Sequence, residues 1–380
     1  MEYQLSELFD LQMGKTPDRN NPSYWNNNKN KWISIADLSK SGKYIIDTKE
    51  TISNSAVISS GIKPIPPNTV VMSFKLSIGK TAITKEQIYS NEAIMAFIDK
   101  KIVQINPSYL YYLLANKKWD QGSNKAVMGI TLNKASLSQY KVNIPNIHIQ
   151  NNEVTKLDKL TQLIETQKKQ MIVLDNLIKS RFVEMFGDPF SNEKNWEQEK
   201  IKDIAVGKLS YGSSASAIKF DNNIRYVRIT DITDSGDLIY DKKSPSEYED
   251  KYLLNDGDIL FARSGATVGK TFKYSKEKHG KCIYAGYLIR LVPNTSKVIA
   301  EYVFWYTKTE YYLSFIKNAQ KAVAQPNINA QEYGNLTICV PPIELQYQFA
   351  YFVEQVNKSK FIADLIRTLM EMIDSNCFPN

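Results

Sequence analysis

The 380-residue chain is one unit written twice, and this duplication limits its possible folds more than any other feature. ISIADLSKSGKYI at 33–45 lies over VRITDITDSGDLI at 227–239, matching Asp37 to Asp231, Ser41 to Ser235 and Gly42 to Gly236. PNTVVMSFKLSIGKTAI at 67–83 resembles NDGDILFARSGATVGKTF at 255–272. Each contains a Gly-Lys-Thr tripeptide, Gly79 to Thr81 and Gly269 to Thr271, with a basic residue upstream, Lys75 and Arg263. KAVMGITLNKASLSQYKVNIPNIHIQ at 125–150 aligns without gaps on KAVAQPNINAQEYGNLTICVPPIELQ at 321–346. The offset stays at about 190 to 196 through all three blocks, so order is kept and only loop lengths differ.

Both copies close alike. A short apolar strand runs into proline (Ile144-Pro145 and Val340-Pro341), a glutamine follows (Gln150 and Gln346), and a long helical pattern begins. In the first pattern Leu157, Leu160, Ile164, Met171, Leu174 and Ile178 alternate at steps of three and four, with Gln167 filling one gap. That is the seam of a helix packed along a partner helix. No Pro or Gly interrupts 151–186, giving a helix about 50 Å long, which Gly187, Asp188 and Pro189 end. The second pattern carries Phe349, Val353, Val356, Ile362, Leu365, Leu369 and Ile373, with a polar break from Asn357 to Lys360. One reading packs each helix on its own domain. Length favours another: a helix this long overhangs a 150-residue domain, whose radius of gyration is about 15 Å. The two helices are then expected to pair antiparallel and hold the globular units apart.

The globular parts mix short β-branched and aromatic runs (VVMSF, AIMAFI, DILFA, YLIRLV) with short helical patterns such as SYLYYLLANKKW and EYVFWYTKTEYYLSFI. The expected class is α+β with an irregular sheet in each copy. The expected domains are 1–150, a long helix at 151–187, a second copy at 188–344 and a second long helix at 345–380.

The net charge of +8 is unevenly spread. Residues 1–150 hold 18 Lys and Arg against 11 Asp and Glu, whereas residues 188–344 hold 21 against 20. A basic excess draws polyanions, but in the second copy any such contact must come from clustered charge. Cys282, Cys339 and Cys377 lie far apart without metal spacing, as expected of reduced thiols in a cytoplasm. The amphipathic opening MEYQLSELFD does not resemble a secretory signal, and no apolar run reaches membrane-spanning length.

Three motifs that suggest chemistry do not hold. A phosphate-binding loop needs glycine five residues before the Gly-Lys glycine, where this chain has Phe74 and Ser264. Asn21-Pro22-Ser23-Tyr24 and Asn106-Pro107-Ser108-Tyr109 lack the second proline of the amino-methyltransferase motif and read as turn or helix starts. The two histidines, His148 and His279, have no ligand or triad partners at useful spacing. No metal site and no catalytic centre is expected.

Reading DNA bases calls for Arg or Lys toward guanine, Asn or Gln toward adenine, and adaptable hydroxyls, while phosphates take Lys, Arg and hydroxyls. Three segments per copy offer this mix. The first holds Lys15, Thr16, Asn20 and Tyr24, against Lys208, Ser210, Tyr211 and Ser213. The second holds Lys75, Ser77, Lys80 and Thr81, against Arg263, Ser264, Thr267, Lys270 and Thr271. The third spans Lys125 to Lys134, including Asn133, against Lys321 to Asn329, where Gln325, Asn327 and Asn329 read like adenine-bonding side chains. Arg228, in the block aligned on 33–45, joins the candidates.

Along nearly its whole length the chain resembles the specificity (S) subunit of type I restriction-modification enzymes. The resemblance rests on GKTPDRNNPSYWNNNKNKWISIADL, VVMSFKLSIGKTAI, the strand-Pro-Gln start of each long helix, SRFVEMFGDPF before the second copy, and the ordered duplication. It implies two target-recognition domains that each read half of a split double-stranded DNA sequence, and an antiparallel coiled coil that sets their spacing. It also implies docking of two methyltransferase subunits, carrying S-adenosylmethionine, and of restriction subunits using ATP and Mg. No cofactor is implied on this chain. The shorter second helix and its polar break depart from that pattern. Two alternatives stay open at this point: an enzyme with an unrecognised site, and a structural coiled-coil scaffold.

Overall fold

The computed structural model describes residues 1–75, 77–117, 119, 132–321 and 326–376, without the side chains of residues 27, 28, 321, 361–367 and 369–376. It forms two compact units, Met1–Gln167 with Leu365–Asn380, and Lys168–Asp364.

The first unit is built on a five-stranded sheet. Its strands run in the order Phe9–Met13, Ile94–Asp99, Val70–Ser73, Thr81–Thr84, Tyr44–Ile45, antiparallel except for the last pair. The central strand has both faces covered, so all four residues of VVMS are buried, the polar Ser73 included. Alternation still sorts it: Val70 and Met72 join a cluster with Phe9, Phe97 and Leu114, while Val71 joins Ala82, Ile94 and Ala96 on the other face. Glu2–Gln4 pairs with Lys141–Asn143, which ties the start of the copy to its end.

The second unit repeats the plan. Its sheet runs Ser210–Tyr211, Leu288–Leu291, Ile259–Ala262, Thr271–Lys273. Ile259 and Phe261 face one cluster, and Leu260 and Ala262 the other. Glu197–Lys200 pairs with Thr337–Val340, the counterpart of the closing pair in the first unit. A short parallel pair also recurs, Trp32–Ile33 beside Tyr89–Ser90 and Arg225–Val227 beside Cys282–Tyr284. Each unit is therefore α+β, as the residue pattern implies.

The first long helix runs from Ile147 to Phe186, forty residues or about 60 Å. It starts four residues before the expected 151, because Asn146 accepts the Ile149 N–H at 3.0 Å and caps the first turn. The second long helix runs unbroken from Ile343 to Asn376, so the polar stretch Asn357 to Lys360 interrupts the seam but not the helix. Within the second unit the two helices are antiparallel: Phe186 meets Phe349 at a ring separation of 5.4 Å, while Asp175, further back on the first helix, pairs with Lys360, further along the second. Leu157, Ile164, Ile178, Val353 and Val356 are buried, Leu160, Met171 and Leu174 are half-buried, and the side chains of Leu365 and Leu369 lie outside the described residues. The apolar stripe continues past Ile178 as Phe182 and Phe186, which pack on Tyr302 and Phe349. In the first unit the same helix docks on its own domain: Asp158 takes a 2.6 Å hydrogen bond from the Tyr112 hydroxyl and pairs with Lys43. Packing on a domain and packing along a partner helix thus both occur.

Candidate nucleic-acid interface

Each Gly-Lys-Thr tripeptide closes the turn between the two central strands. Gly79 and Gly269 have φ of 86° and 87°, a conformation that strains any other residue. Their N–H groups donate to Ser73 O (2.9 Å) and Ala262 O (3.0 Å), ending the two hairpins identically. Thr81 and Thr271 turn inward, the first donating to Gly79 O at 2.9 Å and the second sharing a hydrogen bond with Thr307. The tripeptides are turn chemistry, in keeping with the rejected phosphate-loop reading. Asn21 and Asn106 likewise accept the N–H groups of Ser23 and Ser108 as helix caps.

In the second unit the three polar segments converge. Beyond the strand Ile259–Ala262 the chain zips onto the segment after residue 325. The Ile328 N–H donates to Arg263 O (2.8 Å), the Gly265 N–H donates to Pro326 O (3.1 Å), and Ser264 bridges Asn327. From the first segment the Tyr211 hydroxyl accepts the Ala330 N–H at 2.9 Å, and the Tyr211 ring lies 4.7 Å from the Arg263 guanidinium. Arg263 Nε donates to Asn327 Oδ1 at 3.1 Å. Thr267 donates to Ser264 O, and Lys270 reaches Ile232 O and Asp234.

A glycine makes this approach possible. A Cβ on Gly212 would sit 2.3 Å from Tyr284 O, and one on Gly14, its counterpart, 2.2 Å from Ser90 O. The next residues, Lys15 and Ser213, offer their carbonyls to an aromatic donor at the same place: Trp32 Nε1 at 3.1 Å and Tyr226 Oη at 2.8 Å. The two copies therefore hold their first segment by the same device.

Lys15 Nζ donates to Ser60 O, and Thr16 donates to Glu92. That hydroxyl holds the Glu92 carboxyl below its usual range, with Lys75 and Arg19 adding to the effect. Lys75 lies over the Phe74 ring, and Ser77 and Lys80 are exposed on the turn. Arg228 is committed internally, gripping buried Asp231 through Nε and Nη2 (2.6 Å). Asn133 and Asn329, at one repeat position, are both helix caps: Asn133 accepts the Ser136 N–H, and Asn329 accepts those of Gln331 and Glu332. Lys134 is exposed in the first turn of the helix that Asn133 caps. Lys125, Gln325 and the Lys321 side chain lie outside the described residues.

Two residues at these surfaces escaped the sequence reading. Tyr287 is 62% exposed and its carbonyl accepts the Arg263 N–H, but nothing in AGYLIR marks it as a surface residue. Arg19 stacks 3.7 Å from the Trp25 ring and pairs bidentately with Glu50; the Arg-x5-Trp spacing in RNNPSYW was its only signal.

Among the described residues no group of three His, Cys, Asp or Glu could hold a metal ion, and no helix is long and apolar enough to cross a membrane. His279 is packed against Phe272 and Tyr274, and burial lowers its pKa to about 4. Burial likewise pushes the Cys282 thiol up to about 12.

The type I restriction modification DNA specificity domain matches residues 1–174 and again 193–370, and the chain belongs to that family. Its place there is that of a specificity subunit, the non-catalytic component that confers DNA sequence specificity on a type I restriction-modification system. The chain is 25% identical to the type I restriction enzyme MjaIX specificity subunit of Methanocaldococcus jannaschii, over 92% of this chain and 85% of that one. It is 27% identical to the EcoR124I/EcoR124II specificity subunit of Escherichia coli over 42% of this chain and 40% of that one. In fold it is similar to a chain from a study of assembly and conformational transition in the type I system, with a TM-score of 0.60, 14% identity, and coverage of 99% and 95%. It is also similar to the S subunit from M. genitalium, with a TM-score of 0.50, 12% identity, and coverage of 100% and 96%.

Proposed function

We propose that the chain reads a bipartite, asymmetric double-stranded DNA target, one half per recognition domain, and docks two methyltransferase subunits and the restriction subunits. The observation that carries this reading is the convergence of Tyr211, Arg263 and Asn327, from three distant segments, onto one surface of the second unit. An arginine fork is the group that a guanine edge takes, and here an aromatic ring and an amide hold it in place. The first unit offers a different set in equivalent segments, with exposed Met13 where the second has Tyr211, and it carries the basic excess. Different surfaces on one plan suit two different half-sites, the first relying more on phosphate contacts.

The long helices fix the distance between half-sites and provide the dock for the partners. Ile172, Val173, Leu177 and Val183 leave a strip of apolar side chains exposed on the first helix, as a docking face needs. The chain holds no cofactor: S-adenosylmethionine belongs to the methyltransferase partner, and ATP and Mg to the restriction partner. The complex works in the cytoplasm, without a membrane. Mapping methylated adenines in cells that express the methyltransferase subunits with and without this chain tests the proposal. A bipartite motif that appears only with the chain is expected. Methylation that is the same in both strains overturns it.

A further inference from the structure

The five arginines of the second unit are Arg181, Arg225, Arg228, Arg263 and Arg290. Arg181 pairs with Glu184, Arg228 with Asp231, and Arg290 with Asp258, while Arg225 is buried and donates to Ile239 O. Arg225 and Arg263 have no salt bridge among the described residues, but Arg225 is buried and spent on a backbone carbonyl, whereas Arg263 lies at the surface and its guanidinium is not loose. The Tyr211 ring supports it at 4.7 Å, and Asn327 Oδ1 takes its Nε–H at 3.1 Å. Both supports are themselves fixed, Tyr211 by the Ala330 N–H and Asn327 by its bridge to Ser264.

We infer that Tyr211 and Asn327 are positioning residues that aim the two terminal nitrogens of Arg263 at the O6 and N7 acceptors of one guanine in the major groove of the second half-site. This rests on the proposed function above and gives one of its surfaces a specific base. A flexible arginine loses side-chain entropy on binding, and here stacking and the Nε bond have already taken that loss. A phosphate also takes an arginine fork, but a lysine point charge can replace it there, so Arg263→Lys separates the two contacts. The neutral balance of the second copy, 21 basic against 20 acidic residues over 188–344, also gives little bulk field for backbone contacts. In sequence the first copy does not carry the clamp's residues: Met13 stands at the position of Tyr211, Lys75 at that of Arg263, and Thr131 at that of Asn327.

The test maps the methylated motif of the assembled complex carrying Arg263→Lys, Tyr211→Ala or Tyr211→Phe in the full chain. Arg263→Lys keeps the charge and loses the fork. It should relax the motif at one G·C pair of one half-site, weakening the preference for guanine by about 5- to 150-fold, and leave the other half-site intact. Tyr211→Ala should relax the same pair, whereas Tyr211→Phe keeps the ring and should retain the preference. An unchanged motif in Arg263→Lys overturns the inference while leaving the two-half-site reading standing. So does a uniform weakening at all positions with a shallower salt dependence, the signature of a phosphate contact. Absence of any bipartite motif with the unaltered chain overturns the underlying reading instead.

Discussion

Gln150 and Gln346 show how much one polar side chain can organise. Both are fully buried and both make the same three bonds. Oε1 accepts the N–H that begins a short helix (Asn106 at 2.8 Å, Ile299 at 3.0 Å), and Nε2 donates to two carbonyls (Gln104 and Pro145, Lys297 and Pro341). Each amide ties the start of a long helix to the domain it leaves. Gln150→Ala or Gln346→Ala strands these buried groups and should lower unfolding stability by about 3 kcal/mol in urea denaturation. Exposed Asn152→Ala should stay within about 0.5 kcal/mol, and equal effects would contradict the assignment. The sequence shows a glutamine at this point in both copies, but periodicity weighs apolar residues, so a buried amide reads there as part of a polar face. Asn329 illustrates the converse. Its residue type fits base recognition, whereas the matching Asn133 reveals a shared structural task, because a repeat position kept as asparagine in both copies serves the cap of the helix that follows.

The long helices were the most legible elements. Alternating steps of three and four mark the seam, and Gly187 ends the first helix with φ of 78°. Two features were not legible. The start at Ile147 depends on the Asn146 side chain, which a search for apolar spacing passes over. The stretch from Asn357 to Lys360 looks like a break, yet Lys360 is held by Asp175 and lies 5.9 Å from the Trp305 ring, so a tertiary partner accommodates the charge. Since the first helix is continuous, inserting a few helical residues between 160 and 175 should lengthen the spacer of the methylated motif and leave the bases of both half-sites unchanged. An unchanged spacer with altered half-sites would contradict its role as a ruler.

At the scale of the whole molecule, the duplication was plain because three blocks keep one order and nearly one offset. Sheet order, closing strand pair, parallel pair and hairpin-ending glycine then recur in both units. The converging surface was not visible in the same way. Tyr211, Arg263 and Asn327 are separated by 52 and 64 residues, and only the fold brings them together. What the copies share is packing, and what they differ in is the exposed ends of equivalent segments. Such a division of labour makes the two copies separable by exchange. Residues 188–344 are replaced by the corresponding segment of a relative, and methylated adenines are mapped in the assembled complex. One half of the motif should change while the other half and the spacer remain; a change in both halves, or in neither, would contradict the account.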